Sequence, residues 1–264
     1  MYAFTSHKPS TVADAVAALA GSEDGKFMAG GQTYIPTLKQ RLAMPSDVID
    51  LNGISELQGI RAEGDAVIVG AMTRHAEVAG SDVVKGAIPA LAALANGIGD
   101  PQVRNMGTMG GSIANNDPAA DYPGAVVGLG ATVHTNSRTI AGDDFFTGLF
   151  ETALDENELI TAVSFPKPVK AAYAKFPNPA SRYALVGVFV AQTSGGVRVA
   201  VTGAGPTVFR VAEMESALAG TFSAGALDGI SVSADSLNAD IHASADYRAH
   251  LITVMAKRAV AAAG

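Results

Sequence analysis

The sequence predicts a chain of mixed helices and sheets, and three stretches carry that prediction. Residues 11–51 alternate helix-type and strand-type patterns. Residues 57–73 hold two β-type runs around a turn. Beyond a group of prolines at residues 166–179, strand-like runs give way to helical ones. With 264 residues, the chain has room for two or three small domains at roughly 100–150 residues each.

Thr11-Val12-Ala13-Asp14 is similar to a capping box with Asp in place of Glu. Val12, Ala15, Val16 and Leu19 then share one apolar face, which predicts a helix over Thr11–Ala20. Lys26–Ala29 reads as a short strand running into Gly30-Gly31. A helix over Tyr34–Leu42 and a buried strand over Val48–Leu51 follow. Gly59-Ile60-Arg61 and Ala66-Val67-Ile68-Val69 flank Glu63-Gly64-Asp65 as a hairpin. Ala87–Ala95 and Ala119–Leu129 read as helices on either side of a segment rich in Gly, Asn and Asp, with Asp117 capping the second and Pro118 at its first position. Ala131–Thr139 and Leu159–Phe165 read as strands. Pro166, Pro168, Pro177 and Pro179 mark a domain boundary. Tyr183–Ala191 and Val197–Thr202 are strand-like around Ser194-Gly195-Gly196, and Val211–Leu218 and Ala245–Ala262 are helical. Gly225 and Gly229 leave Ala224–Ser231 ambiguous.

Only 16% of residues are charged, which fits a large core, surface covered by partners, or simply an Ala-rich globular chain. A net charge of −7 without any Lys/Arg cluster argues against nucleic acid as a ligand. No apolar run approaches the ~20 residues that span a bilayer. Met1-Tyr2-Ala3-Phe4-Thr5 lacks the pattern of a signal peptide, so a cytoplasmic location is expected, with any membrane association made through partners. The chain has no cysteine. That excludes disulfides, thiolate zinc sites, cysteine nucleophiles and cysteine-ligated iron–sulfur clusters on it, and leaves redox chemistry to a bound cofactor.

Two glycine pairs are the informative motifs: Ala29-Gly30-Gly31-Gln32-Thr33 and Thr108-Met109-Gly110-Gly111-Ser112, each with a helix expected downstream. Without Cβ atoms, glycines let backbone N–H groups approach an anion, and Gln32, Thr33, Thr108 and Ser112 add side-chain donors. Two such loops converging would clamp a pyrophosphate from both sides. A single Gly-Gly pair is more often just a turn. The chain has no G-x-G-x-x-G, no P-loop and no G-x-S-x-G, so a dinucleotide here would not sit on a Rossmann fingerprint. In Asn115-Asn116-Asp117-Pro118-Ala119-Ala120-Asp121-Tyr122-Pro123, Asp121 is placed to accept hydrogen bonds from cofactor hydroxyls.

These motifs, with Pro9–Ala13, Leu38-Lys39, Val103-Arg104-Asn105, Phe145–Gly148 and Tyr247-Arg248, run through nearly the whole chain. Together they resemble the FAD-binding medium subunit of the molybdenum hydroxylases, the family of aerobic carbon monoxide dehydrogenase and xanthine dehydrogenase. The resemblance implies an α+β fold: a PCMH-type, vanillyl-alcohol-oxidase-like FAD-binding domain in two subdomains, 1–55 and 56–166, and a C-terminal domain, 167–264, of a short antiparallel sheet and helices. It implies FAD contacts from Met28, Ala29, Gly30, Gly31, Gln32, Thr33, Tyr34 and Ile35 on one side. Thr108, Met109, Gly110, Gly111 and Ser112 lie on the other, with Ile98, Asn115, Asp121, Ile160, Lys175 and Tyr183 along the cofactor. It also implies partners: a small [2Fe-2S] subunit and a large molybdenum-cofactor subunit in a heterotrimer or a dimer of heterotrimers. Electrons pass through FAD to NAD, a quinone or oxygen. Thr33 replaces the commoner Ser, Met106 stands where a basic residue is usual, and the chain is slightly short for the family.

No catalytic residue or metal ligand is expected on this chain. His7, His75, His134, His242 and His250 have no ligand spacing and read as structural or surface residues. Asp143-Asp144 reads as a solvated turn, and Glu213 and Glu215 as exposed helix positions. The alternatives are a free-standing flavin oxidase or dehydrogenase and a non-catalytic nucleotide binder.

Overall fold

A computed structural model describes residues 1–264. The Thr11 hydroxyl accepts the Asp14 N–H and starts α1 (Val12–Ala20). The Asp14 carboxylate receives the Thr11 hydroxyl rather than a backbone N–H, so the capping box closes only halfway. The helix lies among β1 (Thr5–His7), β2 (Gly25–Met28) and β3 (Asp47–Asp50), which form a parallel sheet in the order β1-β3-β2. Ala15 and Leu19 pack on Ile49, Leu51, Ile54 and Leu57. The helix after β2 is shorter than expected: α2 (Tyr34–Lys39) stops where Arg41 turns left-handed at φ 61°. Parallel pairing runs to Met28 opposite Asp50, so both strands release the chain at the same edge. In parallel sheets that carboxyl edge is where ligands bind.

The middle of the chain forms a five-stranded antiparallel sheet, ordered β4-β5-β10-β6-β7. The expected hairpin supplies β4 (Ile60–Glu63) and β5 (Ala66–Gly70). Between them and the next strands the chain is more helical than its composition suggests, with α3 (His75–Gly80), α4 (Asp82–Ala87), α5 (Pro89–Asn96), α6 (Pro101–Met106), α7 (Met109–Asn115) and α8 (Tyr122–Leu129). The helix around Ala87–Ala95 is split because Pro89 excludes Ile88 from helical geometry. The Gly-, Asn- and Asp-rich stretch holds two short helices. Asp100 caps α6 by accepting the Val103 N–H at 2.8 Å, and Thr108 caps α7 through the Gly111 N–H at 3.2 Å. The second glycine pair thus lies inside a helix, not in a loop ahead of one. Asp117 is not a helix cap: it closes a turn onto the Ala119 N–H, and α8 begins only at Tyr122.

The span read as one strand over Ala131–Thr139 folds back as β6 (Thr132–Thr135) and β7 (Thr139–Ala141). A short helix, α9 (Gly142–Phe145), a two-stranded ribbon of β8 (Phe146–Gly148) and β9 (Glu151–Thr152), and β10 (Ile160–Pro166) complete this part.

Past residue 166, β11 (Lys170–Pro177), β12 (Ala184–Thr193), β13 (Gly196–Thr202) and β14 (Phe209–Arg210) form an antiparallel sheet in sequence order, packed against α10 (Ala212–Gly220) and α11 (Ala245–Ala263). β11 runs between the prolines that mark the boundary. As an edge strand it tolerates Pro177 at its end. Ala224–Leu227 is a single 3₁₀ turn. Glu215 is not an exposed helix residue, because its carboxylate holds Arg210 at 2.7 Å and the Val199 N–H at 2.9 Å. Asp143 pairs with Arg198 and Arg210. Every residue of α8 is buried. The helix lies between the middle sheet and β12–β13, and Phe189, Ala191 and Ala200 belong to the same core as Val126 and Val163.

Glu158 anchors the approach to β10. Its carboxylate receives Arg138 at 2.8 and 2.9 Å, Thr135 at 2.6 Å, Ser137 at 3.0 Å and the Asp155 N–H at 2.9 Å. The Arg138 hydrogen bonds, followed by those from Thr135, Asp155 and Ser137, pull its pKa from 4.5 to about 2. The stabilisation from this depressed carboxyl is complete above pH 4.5 and is lost as pH falls through about 2. Glu158→Gln is expected to lower Tm at pH 7, by roughly 2–4 °C per kcal/mol lost. Thermal unfolding as a function of pH should show the gap to the parent closing between pH 4.5 and about 2. A gap that stays constant across that range would contradict the assignment.

Candidate functional site

The chain leaves β2 into Ala29-Gly30-Gly31. A Cβ on Gly30 would stand 2.1 Å from the Met106 carbonyl oxygen and 2.8 Å from Gly107 Cα, so this backbone and the end of α6 touch directly. Gly31 takes φ +69°, a conformation that favours glycine. The two glycine pairs therefore converge. They do so on one wall of a cavity of about 660 Å3, within the range typical of cofactor sites.

The backbone N–H groups on the two sides are in opposite states. Those of Met109, Gly110, Gly111 and Ser112 donate to Thr73 O, Ala71 O, Thr108 Oγ1 and Thr108 O. Those of Gly30, Gly31, Gln32, Thr33 and Tyr34 donate to nothing in the chain, although Gly30 is buried. A buried N–H without a partner is rare in folded proteins. Gly31 and Tyr34 are part-buried and Gln32 and Thr33 exposed, and together the five free N–H groups line the cavity as an anion cradle. The expectation of a clamp with free N–H groups from both loops is corrected here: residues 30–34 supply the donors, while the N–H groups of Met109 and Gly110 are spent on the segment after β5 and those of Gly111 and Ser112 on Thr108, the cap of α7. The Tyr34 hydroxyl is also buried without a partner. These free donors fit an anionic cofactor such as FAD.

The remaining walls come from all parts of the chain. Ile98 follows α5, Asn115 closes α7, Asp121 precedes α8, Ile160 opens β10, and Ser181, Arg182 and Tyr183 project from the loop before β12. That loop is braced by Asn178, whose side-chain oxygen accepts the Ala180 and Ser181 N–H groups, and by Arg182 Nη1 donating to Gly99 O at 3.1 Å. Tyr183 is half exposed at the mouth. Asp121 is 4% exposed and accepts the Tyr173 hydroxyl at 2.5 Å and Lys175 Nζ at 3.0 Å, while Lys175 also donates to Gly97 O at 2.8 Å. Burial raises the Asp121 carboxyl above its ordinary pKa, against the opposing pull of Lys175 and Tyr173.

All of the cofactor contacts expected from the sequence line this cavity except three. Ile35 lies behind Gly31, within 2.6 Å of where a Cβ would project. Met109 is fully buried in the core. Lys175 stands behind Asp121. Sequence reasoning missed Leu51, Leu154 and His75. Leu51 follows from the shared edge of β2 and β3; Leu154 and His75 carry no motif.

Family comparison accounts for both halves of the chain. Residues 2–168 match the model of the FAD binding domain in molybdopterin dehydrogenase, and residues 171–263 match that of the CO dehydrogenase flavoprotein C-terminal domain. The chain belongs to the family of FAD-binding medium subunits of molybdenum hydroxylases. It is 36% identical to the carbon monoxide dehydrogenase medium chain of Hydrogenophaga pseudoflava, over 98% of this chain and 96% of that one. It is equally identical to the nicotine 6-hydroxylase medium subunit of Paenarthrobacter nicotinovorans, over 97% and 95%. In three dimensions it is similar to reconstituted CO dehydrogenase from Oligotropha carboxidovorans, with a TM-score of 0.91 at 35% identity, covering 99% of this chain and 97% of that one. The similarity to quinoline 2-oxidoreductase from Pseudomonas putida 86 has a TM-score of 0.89 at 28% identity, over 99% and 96%.

Two substitutions test this geometry. Gly30→Ala forces the Met106 backbone to retreat and should weaken FAD binding at least 100-fold, read by flavin absorbance after desalting; stoichiometric flavin at the parent's affinity would refute the contact. Lys175 is 11% exposed, and Lys175→Met leaves a buried carboxylate unpaired, at a cost on the order of 3–5 kcal/mol in urea denaturation. Adding Asp121→Asn should recover part of that loss.

Proposed function

We propose that this chain is the flavin relay of a molybdenum-containing hydroxylase or dehydrogenase, taking electrons from iron–sulfur clusters on a partner subunit and passing them to an external acceptor. Family membership and the absence of cysteine support this division of labour: an FAD-binding chain with no thiolates depends on a partner for [2Fe-2S] clusters. The observation that carries the binding mode is the run of unpaired N–H groups over residues 30–34.

FAD, when bound, exchanges electrons one or two at a time. The chain's own residues bind and orient it. The N–H groups of Gly30–Tyr34 receive the diphosphate, and Thr108 and Ser112 border it from α7. Ile98, Ile160 and Leu159 exclude water from the apolar wall, Asp121 accepts from the cofactor's hydrogen-bonding edge, and Tyr183 covers the mouth. Lys175, with Tyr173, fixes Asp121 in place. No residue here is assigned to the organic substrate, which belongs on a molybdenum subunit. We divide the chain at 1–55, 56–166 and 167–264, assign it to a heterotrimer or a dimer of heterotrimers, and place it in the cytoplasm. No helix is long and apolar enough to cross a membrane.

Metal and flavin analysis of the complex purified from its native source tests the reading. Molybdenum, iron and one FAD per copy of this chain are expected, with NAD, quinone and oxygen compared as acceptors. A complex without flavin would overturn it. The chain alone with FAD should turn over no aldehyde, purine or carbon monoxide; turnover would favour a free-standing dehydrogenase. FAD at 100 times its Kd should stabilise the purified chain by about 2.7 kcal/mol.

A further inference from the structure

Most buried polar side chains in this protein make at least one hydrogen bond, although Asn116 Oδ1 and Arg248 Nε are left without partners. Thr73, Thr108, Asn116, Asp121, Glu158, Asn178, Thr202 and Arg248 each make a side-chain hydrogen bond. His75 makes none, and neither do the buried hydroxyls of Tyr34 and Tyr122. His75 is 5% exposed, its Nδ1 is sealed off without a partner, and its Nε2 bonds to nothing in the chain. A buried imidazole with neither nitrogen satisfied needs an explanation.

Its position supplies one. His75 opens α3 and is fixed by its backbone N–H donating to Gly107 O at 3.0 Å. Its ring leans on Tyr122, with centroids 5.3 Å apart, and lines the cavity. A Cβ on Gly107 would stand 2.6 Å from Nε2, so the ring edge lies over Gly107. Gly30 presses on that same glycine, 2.8 Å from its Cα to where the Gly30 Cβ would be. The free imidazole edge and the first free N–H of the cradle therefore adjoin one residue.

We propose that His75 is a further cofactor-binding residue, donating a hydrogen bond beside Gly107 to an oxygen of the diphosphate received by Gly30–Tyr34. This rests on the FAD reading above. Burial, with the Arg104 charge nearby, lowers the imidazole pKa to about 4, so at neutral pH it donates from one N–H as an uncharged group. The N–H groups at the start of α7 are already engaged and are not donors to this anion.

The test uses the purified full chain stripped of flavin, titrated with FAD, ADP and riboflavin. His75→Phe keeps the ring's bulk and removes both nitrogens. It should weaken FAD and ADP about ten- to hundredfold, the range for a hydrogen bond to a charged group, and leave riboflavin unchanged. His75→Gln keeps a donor and should recover most of the loss. Parent-like FAD and ADP affinity in His75→Phe overturns the proposal, as does an equal loss for riboflavin, which would put the contact on the flavin ring. Nitrogen NMR of the five histidine rings in the parent gives the same answer without a variant: ADP must shift His75, and no shift refutes the contact. A parent that takes up neither FAD nor ADP fails the site reading itself; a parent that binds both while the variant binds equally fails only His75.

Discussion

The contact between Gly30 and the backbone of Met106 and Gly107 organises the site. It fixes where the parallel N-terminal sheet meets the helical part of the middle region, because no side chain fits between the two backbones. From that contact outward, the Gly30–Tyr34 segment lines the cavity with its N–H groups free of any acceptor in the chain. α7 is held against the middle sheet by the bonds its own first turn makes, and it contributes a wall rather than donors. A small steric constraint thus sets an electrostatic asymmetry, with donors on one side and packing on the other.

The far wall is built differently. Asp121 joins three elements, receiving Tyr173 and Lys175 from β11 while Lys175 reaches the carbonyl of Gly97 after α5. A buried carboxylate needs such partners, and here they come from the C-terminal sheet. One wall of the cavity and the docking of that sheet therefore share one ion pair.

Where local signals are strong, the sequence is legible. Thr11 ahead of an apolar stripe starts α1, and turn residues mark the β4–β5 hairpin. The glycine pairs and Asp121 locate the cavity, and the family resemblance extends over both matched regions. What was hidden has physical reasons. α6 and α7 are short, glycine-bearing helices held by the caps Asp100 and Thr108 rather than by propensity. β11 looks like a linker because prolines bracket it. Met109 shares a motif with Gly110 but faces the core, since a helix turns successive side chains about 100° apart. His75 reaches the cavity only because Gly107 folds back over it, a long-range event that leaves no local pattern.

The wholly buried α8 has a consequence for how the chain can be made and rearranged. The two matched regions meet near residue 170, which suggests separable modules. Yet α8 needs β12 and β13 on one side, and Phe189 completes a core begun by Val126 and Val163. On the ribosome, the first region emerges with this helix uncovered until β12 and β13 are synthesised, an interval in which its apolar surface is exposed. The same shared core means that exchanging either piece alone would leave Val126 and Val163 without the packing that Phe189, Ala191 and Ala200 supply.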